Sequence, residues 1–414
     1  MPDNSEIDDP AGWEDITRED LFYAFRKAKT DCFYEHTVLA ADRFTAYEAE
    51  LFSNLNRLCD RIKAGDVDAL FAENLGEVAV VAKKLNKTPN RNNRKGLHDF
   101  FSDPTKFFER LTRDTTLHPE FRLVGDFPVE MHVLSALWIN LVGHRFDARL
   151  GPHVYGSRLR RYRMVDNQDT RVAGRYHREA LGIFEPYFTP YKTWRNRGLG
   201  TMRAELKAGR AIIAISLDLS NYYHRIDPNF IAAPHFQAAL GVNLSPWATS
   251  FTRTFADSMS NWANRTTELL KTYGCELRDD VPGGLPIGLA AARLAANVLL
   301  HQLDQAFMAG LAPIYYGRYV DDMFLVLQDS WSFGSAQDLF HWIQARVPLL
   351  QSTKREEMEI RFEPEYSAHS KITLQKSKQR VFFLSGSVGL DLLSNIESEI
   401  NEVSSERRLM PDPE

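Results

Sequence analysis

A run of about 18 apolar residues, the least a membrane-spanning helix needs, occurs nowhere in the 414-residue chain, which excludes a helical membrane protein. Cysteine is scarce. Cys32, Cys59 and Cys275 lie far apart with no CxxC spacing, which argues against a disulfide framework or a cysteine-rich zinc site and leaves them as small buried hydrophobes. Internal repeats and low-complexity tracts are missing too. The opening stretch MPDNSEIDDPAGWEDI lacks the basic-then-apolar pattern of a secretory signal, and a cytoplasmic protein is expected. An excess of positive charge is also lacking, since the formal net charge is −5.

What is present is an ordinary globular composition, 44% hydrophobic and 25% charged, sufficient for two or three packed subdomains. The charge is unevenly distributed. Acid gathers at the ends, from Asp3 to Asp20 and from Glu397 to Glu406. Base gathers inside: Lys83, Lys84, Lys87, Arg91, Arg94 and Lys95, then Arg145 to Arg178, then Lys192 to Arg210. Such a distribution suits a polyanion-binding groove, and equally a solvated charged surface.

Residues 1 to 18 read as an acidic flexible tail. From Asp20 to about Val81 the pattern is helical, with Leu21, Phe25, Ala28 and Phe33 at helix-like spacing, and KTPNRNNRKG follows as a basic loop. VEMHVLSALWINLVGHRFDARL predicts an amphipathic helix and ARLAANVLLHQLDQAFM a core helix. AIIAISL, residues 211–217, predicts a buried strand ending at Asp218. Tyr315 to Val320 and Met323 to Leu327 predict two strands joined tightly at Asp321-Asp322, while Lys371–Leu374 and Val381–Leu384 look like a further strand pair. The order is helices followed by strands mixed with helices, an α+β architecture.

RYVDDMFLVL is the sharpest signal. Adjacent carboxylates flanked by apolar strand residues are costly unless neutralised, and a second strand end delivers Asp218 from ISLDLSNYY. Magnesium favours carboxylate oxygens and leaves positions open for phosphates, so a two-metal site with ions about 4 Å apart is consistent with this pattern. A solvent-facing Asp turn is the alternative for Asp321-Asp322 taken alone. Asp279-Asp280, with no apolar strand before it, reads as a loop.

These segments resemble the palm motifs of reverse transcriptases, in that family's order. Asp218-Leu219-Ser220-Asn221-Tyr222-Tyr223 resembles the first, GGLPIGLAAARLAANVLLHQLD the second and Tyr319-Val320-Asp321-Asp322 the third. Gln375-Lys376 in ITLQKSKQR resembles the fourth, Phe382 to Gly386 the primer grip, and FRLVGDFPVEMHVLSALW the fingers segment. The match covers roughly residues 120 to 390. It implies a right-hand polymerase fold with a palm of antiparallel sheet plus helices, fingers, a helical N-terminal region, and a thumb that is short or absent. The expected division is an acidic tail over 1–18, a helical N-terminal region with a basic loop over 19–118, fingers over 119–210, a palm over 211–390, and a short C-terminal tail or thumb remnant over 391–414.

By this resemblance Asp218, Asp321 and Asp322 are catalytic and hold two magnesium ions, or manganese, with the Leu219 carbonyl as a further ligand and Asp322 in a supporting role. Tyr223, whose alternative is a core aromatic, would block a ribose 2′-hydroxyl and select deoxynucleotides. Gly284, Pro286 and Gly288 would let backbone approach the template and the incoming base. Arg122 would clamp the triphosphate with paired donors. Lys376, whose alternative is an exposed strand lysine, would protonate departing pyrophosphate. One position departs from the pattern: Ile287 stands where many relatives carry Gln, which bears on strict templating.

FYAFRKAKTDCFYE, YGSRLRR and YFTPYKTWRNRG together resemble the bacterial abortive-infection and defence-associated reverse transcriptases. That likeness implies cDNA made from dNTPs on an RNA template such as a cognate noncoding RNA, in antiphage defence, by a homo-oligomer or together with a partner defence protein. A template-independent or protein-primed DNA polymerase of the same fold is the competing enzyme. An RNA-dependent RNA polymerase is disfavoured by Tyr223 and by Val320 before the paired aspartates. From another class, a nucleic-acid-binding scaffold with an inactive palm remains.

Overall fold

The computed structural model describes residues 10–34, 40–89, 115–162, 174–274, 284–330, 333–352, 360–367, 369–374 and 379–395, together with Thr105 and Glu109. Helices come first: α1 (Arg18–Tyr34), α2 (Ala41–Ala49), α3 (Leu51–Lys63) and α4 (Val67–Glu73). The predicted helical region therefore ends at Glu73, and Val81 lies in a strand. β1 (Glu77–Pro89) and β2 (Thr115–Asp126) form an antiparallel ribbon, with a bulge between Ala82 and Lys84. The predicted basic loop begins inside β1, and its remainder lies outside the described residues, as do Cys275 and Asp279-Asp280.

On α1 the expected apolar face holds for Leu21, Phe25 and Ala28, but Phe33 is 70% exposed. Nor are residues 10–17, the described part of the expected tail before α1, loose. Ile16 is fully buried, and Trp13 packs edge-on against Trp247 and Phe251 at about 5 Å.

The segment predicted as one amphipathic helix divides into α5 (Val129–Trp138), a π-helical turn (Ile139–Gly143) and α6 (His144–Asp147). Every residue of α5 but Glu130, and every residue of the π turn, is buried, so its apolar character runs nearly all the way round rather than along a stripe. Downstream come α7 (Phe188–Lys207), β3 (Ile212–Leu217), α8 (Pro234–Leu240), α9 (Pro246–Thr272), α10 (Ala290–Leu299) and α11 (His301–Leu311). The remainder is β4 (Tyr315–Tyr319), β5 (Asp322–Gln328), α12 (Ala336–Arg346), β6 (Leu350–Ser352), β7 (Ile360–Phe362), β8 (Ile372–Thr373), β9 (Arg380–Leu384) and a last helix over 386–395.

The central sheet is wholly antiparallel, in the order β4-β5-β3-β9. β3 explains its own sequence. Ile213, Ile215 and Leu217 face the main core, while Ile212 and Ala214 face a second core with Leu199, Met202 and Leu206 of α7 and Leu393 of the last helix. A strand covered on both faces reads as a continuous apolar run rather than an alternation. Leu393 is fully buried, so residues 391–395 belong to the packed body and not to a tail. The expected pairing of Lys371–Leu374 with Val381–Leu384 does not form: β9 pairs with β3, whereas β8 pairs with β7 in a separate three-stranded sheet. The architecture is mixed α+β with antiparallel sheets, and no described helix is long and apolar enough to cross a membrane.

Candidate active site

The Asp321-Asp322 pair sits at the β4–β5 turn, with Tyr319 facing Asp322 across it. β5 in turn pairs with β3, and the last facing pair is Leu217 with Met323. One step further, Asp218 leaves β3 beside Asp322. Neighbouring strands lie about 4.8 Å apart, so the backbone brings all three carboxylates to one end of one sheet. Asp218 is buried at 8% exposure, Asp321 is half-buried and Asp322 is exposed.

The turn is held from behind. Val320 takes φ 57°, a left-handed conformation that a β-branched residue adopts only under constraint. Arg318, fully buried, supplies that constraint by donating from Nη1 to the Val320 carbonyl at 3.0 Å. The same guanidinium donates to Asn297 Oδ1 at 2.7 Å and to both carboxylate oxygens of Asp304, at 2.9 and 2.7 Å. Burial alone would raise the Asp304 carboxyl, but the Arg318 guanidinium outweighs it and holds that group well below the ordinary carboxylate range. Gly156 lies against the turn so closely that a Cβ there would stand 2.6 Å from the Val320 nitrogen.

The stretch after Asp218 is fixed equally tightly. Leu219 bridges Leu374, and the hydrogen bond of that bridge, Ser220 N–H to the Thr373 carbonyl at 2.8 Å, does not use the Leu219 carbonyl. Asn221 turns the chain with φ 48° into a 3-10 turn, Tyr222–Arg225. Tyr222 is the core aromatic, donating to the Ala296 carbonyl at 2.6 Å, while Tyr223 remains half-buried.

The second-motif loop is built onto this turn. Leu285 N–H donates to the Tyr223 carbonyl at 2.7 Å, and Gly284, at φ 74°, would place a Cβ 2.5 Å from that same oxygen. Gly288, at φ 106°, lies against Gly125 of β2, whose N–H donates to the Ile287 carbonyl at 2.8 Å. Close approach within the chain itself therefore accounts for both glycines. Pro286 is buried between them.

Arg122 is exposed on β2. Burial, and after it the charges of Arg122 and Lys83, lowers His224 to about 4, so both cations lie within electrostatic reach of the turn that follows Asp218. Lys83 sits at the β1 bulge, a device that re-aims a side chain. It entered the sequence reading only as one member of a basic cluster; Arg318, Asp304 and Asn297 did not enter at all, because nothing local marks a buried ion pair 14 residues apart. Lys376 lies outside the described residues. Of the Arg145–Arg178 cluster, Arg158 and Arg161 are buried on Asp147, at 2.9 and 2.7 Å, and support the fold rather than face a ligand.

Hard oxygen donors at one sheet end suit a divalent cation by their chemistry. As placed, however, no three His, Cys, Asp or Glu side chains among the described residues are gathered closely enough to hold an ion. Like charges repel, so a cation would have to draw these short side chains inward by rotation. No known protein-family model matches the chain, and no curated protein is significantly similar to it.

Proposed function

We propose that this chain is a reverse transcriptase, an RNA-directed DNA polymerase of right-hand fold. In this reading β3, β4, β5 and β9 with their helices form the palm, and the β1–β2 ribbon belongs to the fingers. The observation that carries it is the register of Leu217 with Met323, which sets Asp218 beside the Asp321-Asp322 turn.

Asp218, Asp321 and Asp322, with the Leu219 carbonyl, are the groups that would hold magnesium or manganese. When bound, such ions lower the pKa of an attacking hydroxyl and stabilise a leaving phosphate. The chain does the rest. Arg318 and Gly156 fix the turn that presents Asp321. Arg122 and Lys83 place positive charge where a triphosphate enters. Tyr223, held through its carbonyl by Leu285, offers a ring edge to the sugar and favours deoxynucleotides. Burial and the two cations keep His224 neutral near pH 7. In the cell we place the enzyme in the cytoplasm in antiphage defence, on an RNA template such as a cognate noncoding RNA, working as a homo-oligomer or with a partner defence protein.

The test is extension of a primed RNA template by the full chain with dNTPs and magnesium. Label incorporation that disappears in Asp321→Asn supports the reading, and no incorporation on RNA or DNA templates with magnesium or manganese sinks it. Ile287 favours a second reading, template-independent synthesis, because its carbonyl is committed to Gly125 and its apolar side chain offers no polar contact to a template base. Homopolymer made from a single dNTP regardless of added template would decide for that reading. The scaffold alternative requires phage protection to survive Asp321→Ala with Asp322→Ala.

A further inference from the structure

Three aromatic rings stand in water within five residues at the start of α7: Tyr187 is 75% exposed, Phe188 60% and Tyr191 41%. They adjoin the candidate active site. Tyr319, the residue before the Val320-Asp321 turn, meets the Tyr191 ring edge-on at 5.2 Å and donates from its hydroxyl to the Tyr187 carbonyl at 3.3 Å. Trp194 closes the cluster at 6.1 Å from Tyr319. Exposed Lys192 and half-buried Arg195 interleave these rings along the helix.

Across Pro186 the surface opens into a cavity of about 730 Å³, lined among others by Arg160, Arg161, Tyr162 and His177, with Glu179 and Glu185 also on its wall. Tyr162 and His177 stack there at 4.0 Å. Arg161 is 95% removed from solvent, at 5% exposure. Its charge is met inside the fold, by the Gly174 carbonyl at 2.8 Å and by Asp147 at 2.7 Å, whereas half-buried Arg160 is the guanidinium of this wall that solvent reaches.

We propose that the Tyr187–Tyr191 face and the Arg160–Tyr162 cavity form one continuous track for a single-stranded polynucleotide running to or from the Asp321 turn. Every base has a π-face, so rings alternating with cations bind a strand without regard to sequence, whereas a purely apolar partner would cover Lys192 and Arg160 without meeting their charge. The source of the strand rests on the polymerase reading; its binding rests on this surface alone.

The test is fluorescence anisotropy of the full-length protein with labelled oligothymidylate and oligouridylate of about 15 nucleotides and with a duplex of equal length. The double variant Tyr187→Ala/Phe188→Ala alters only exposed rings, and a thermal melt checks its fold. Single-strand affinity is expected to fall roughly tenfold or more per ring lost, to be kept in Tyr187→Phe/Phe188→Tyr, and to leave duplex binding unchanged. Tighter binding of DNA than of RNA would assign the track to product, and the reverse to template. Equal single-strand affinity of wild type and double variant, or no binding by wild type, overturns the proposal. If wild type incorporates no nucleotide yet the variant still loses oligonucleotide binding, the polymerase reading fails and the track stands. If wild type polymerises and the variant binds equally well, the track alone fails.

Discussion

Arg318 Nη1 donates to the Val320 carbonyl at 3.0 Å while its Nη2 grips Asp304 at 2.7 Å, so one buried guanidinium ties the strained turn beside Asp321 to the interior of α11. Arg318→Met would leave Asp304 charged and buried without its partner, which costs about 3–5 kcal/mol. Arg318→Lys keeps the charge but not the planar fork, and is expected to fold better than the Met variant yet lose the bond to Val320. Denaturant melts should rank wild type, Lys, Met. Nucleotide incorporation should already fall in the Lys variant, and full activity there would show that the turn does not depend on this bond.

Two glycines test the same turn by contrast. Gly200, on α7, has nothing within 4 Å of a built Cβ, so Gly200→Ala should stabilise the helix by about 0.5–1 kcal/mol. Gly156→Ala would drive a methyl to 2.6 Å from the Val320 backbone nitrogen, and backbone does not yield as a flexible side chain does. Overpacking of this kind costs about 1–3 kcal/mol. Activity should fall more than stability, because the strained element is the one that presents Asp321. Equal stability and activity in the two variants would refute the contact.

The three acids should not be equivalent. Asp218→Asn and Asp321→Asn are expected to cut incorporation by about a thousandfold, since each tenfold corresponds to about 1.4 kcal/mol and cation-held charge contributes several. Asp322, exposed at the start of β5, should cost less. Removing one of several neighbouring like charges should leave the melting temperature unchanged or raised. A large fall in stability for Asp218→Asn would assign that residue to the fold instead.

What could be read in advance follows from locality. The β4–β5 hairpin and β3 were legible because each is a short apolar run bounded by turn formers, and a two-residue turn fixes register without distant information. The β1–β2 ribbon was not, because its strands pair across the 25 residues between Pro89 and Thr115, and EVAVVAKK continues the texture of the helices before it. β8 and β9 look like a hairpin by their separation, yet β8 pairs back with the preceding β7 and β9 with the distant β3. Arg158 and Arg161 read as groove cations until their shared partner Asp147 is seen. The aspartates of the site were therefore visible, whereas the buried pair that holds their turn was not.

Acid and alkali should act on different groups. Burial, before any neighbouring charge, lowers His132 and His224 to about 4 and His144 to about 3. An unfolded histidine binds its proton near pH 6.5 while these three stay neutral in the native state, so the unfolded chain holds more protons as pH falls from about 6.5 to 4. Stability should drop across that window, and His144→Phe, next to the stacked Tyr176 ring, should flatten the drop. Lys27 works at the other end. Burial, helped by Arg160, lowers its amine to about 7, against an ordinary value of 10.5. Between those values the unfolded lysine is charged and the native one is not, so stability should rise from pH 7 towards pH 10. Lys27→Met should abolish that rise while raising stability at pH 6, where the wild-type amine is charged and buried. Denaturant midpoints measured every half pH unit would show both slopes, and a flat wild-type curve above pH 7 would place Lys27 in contact with water.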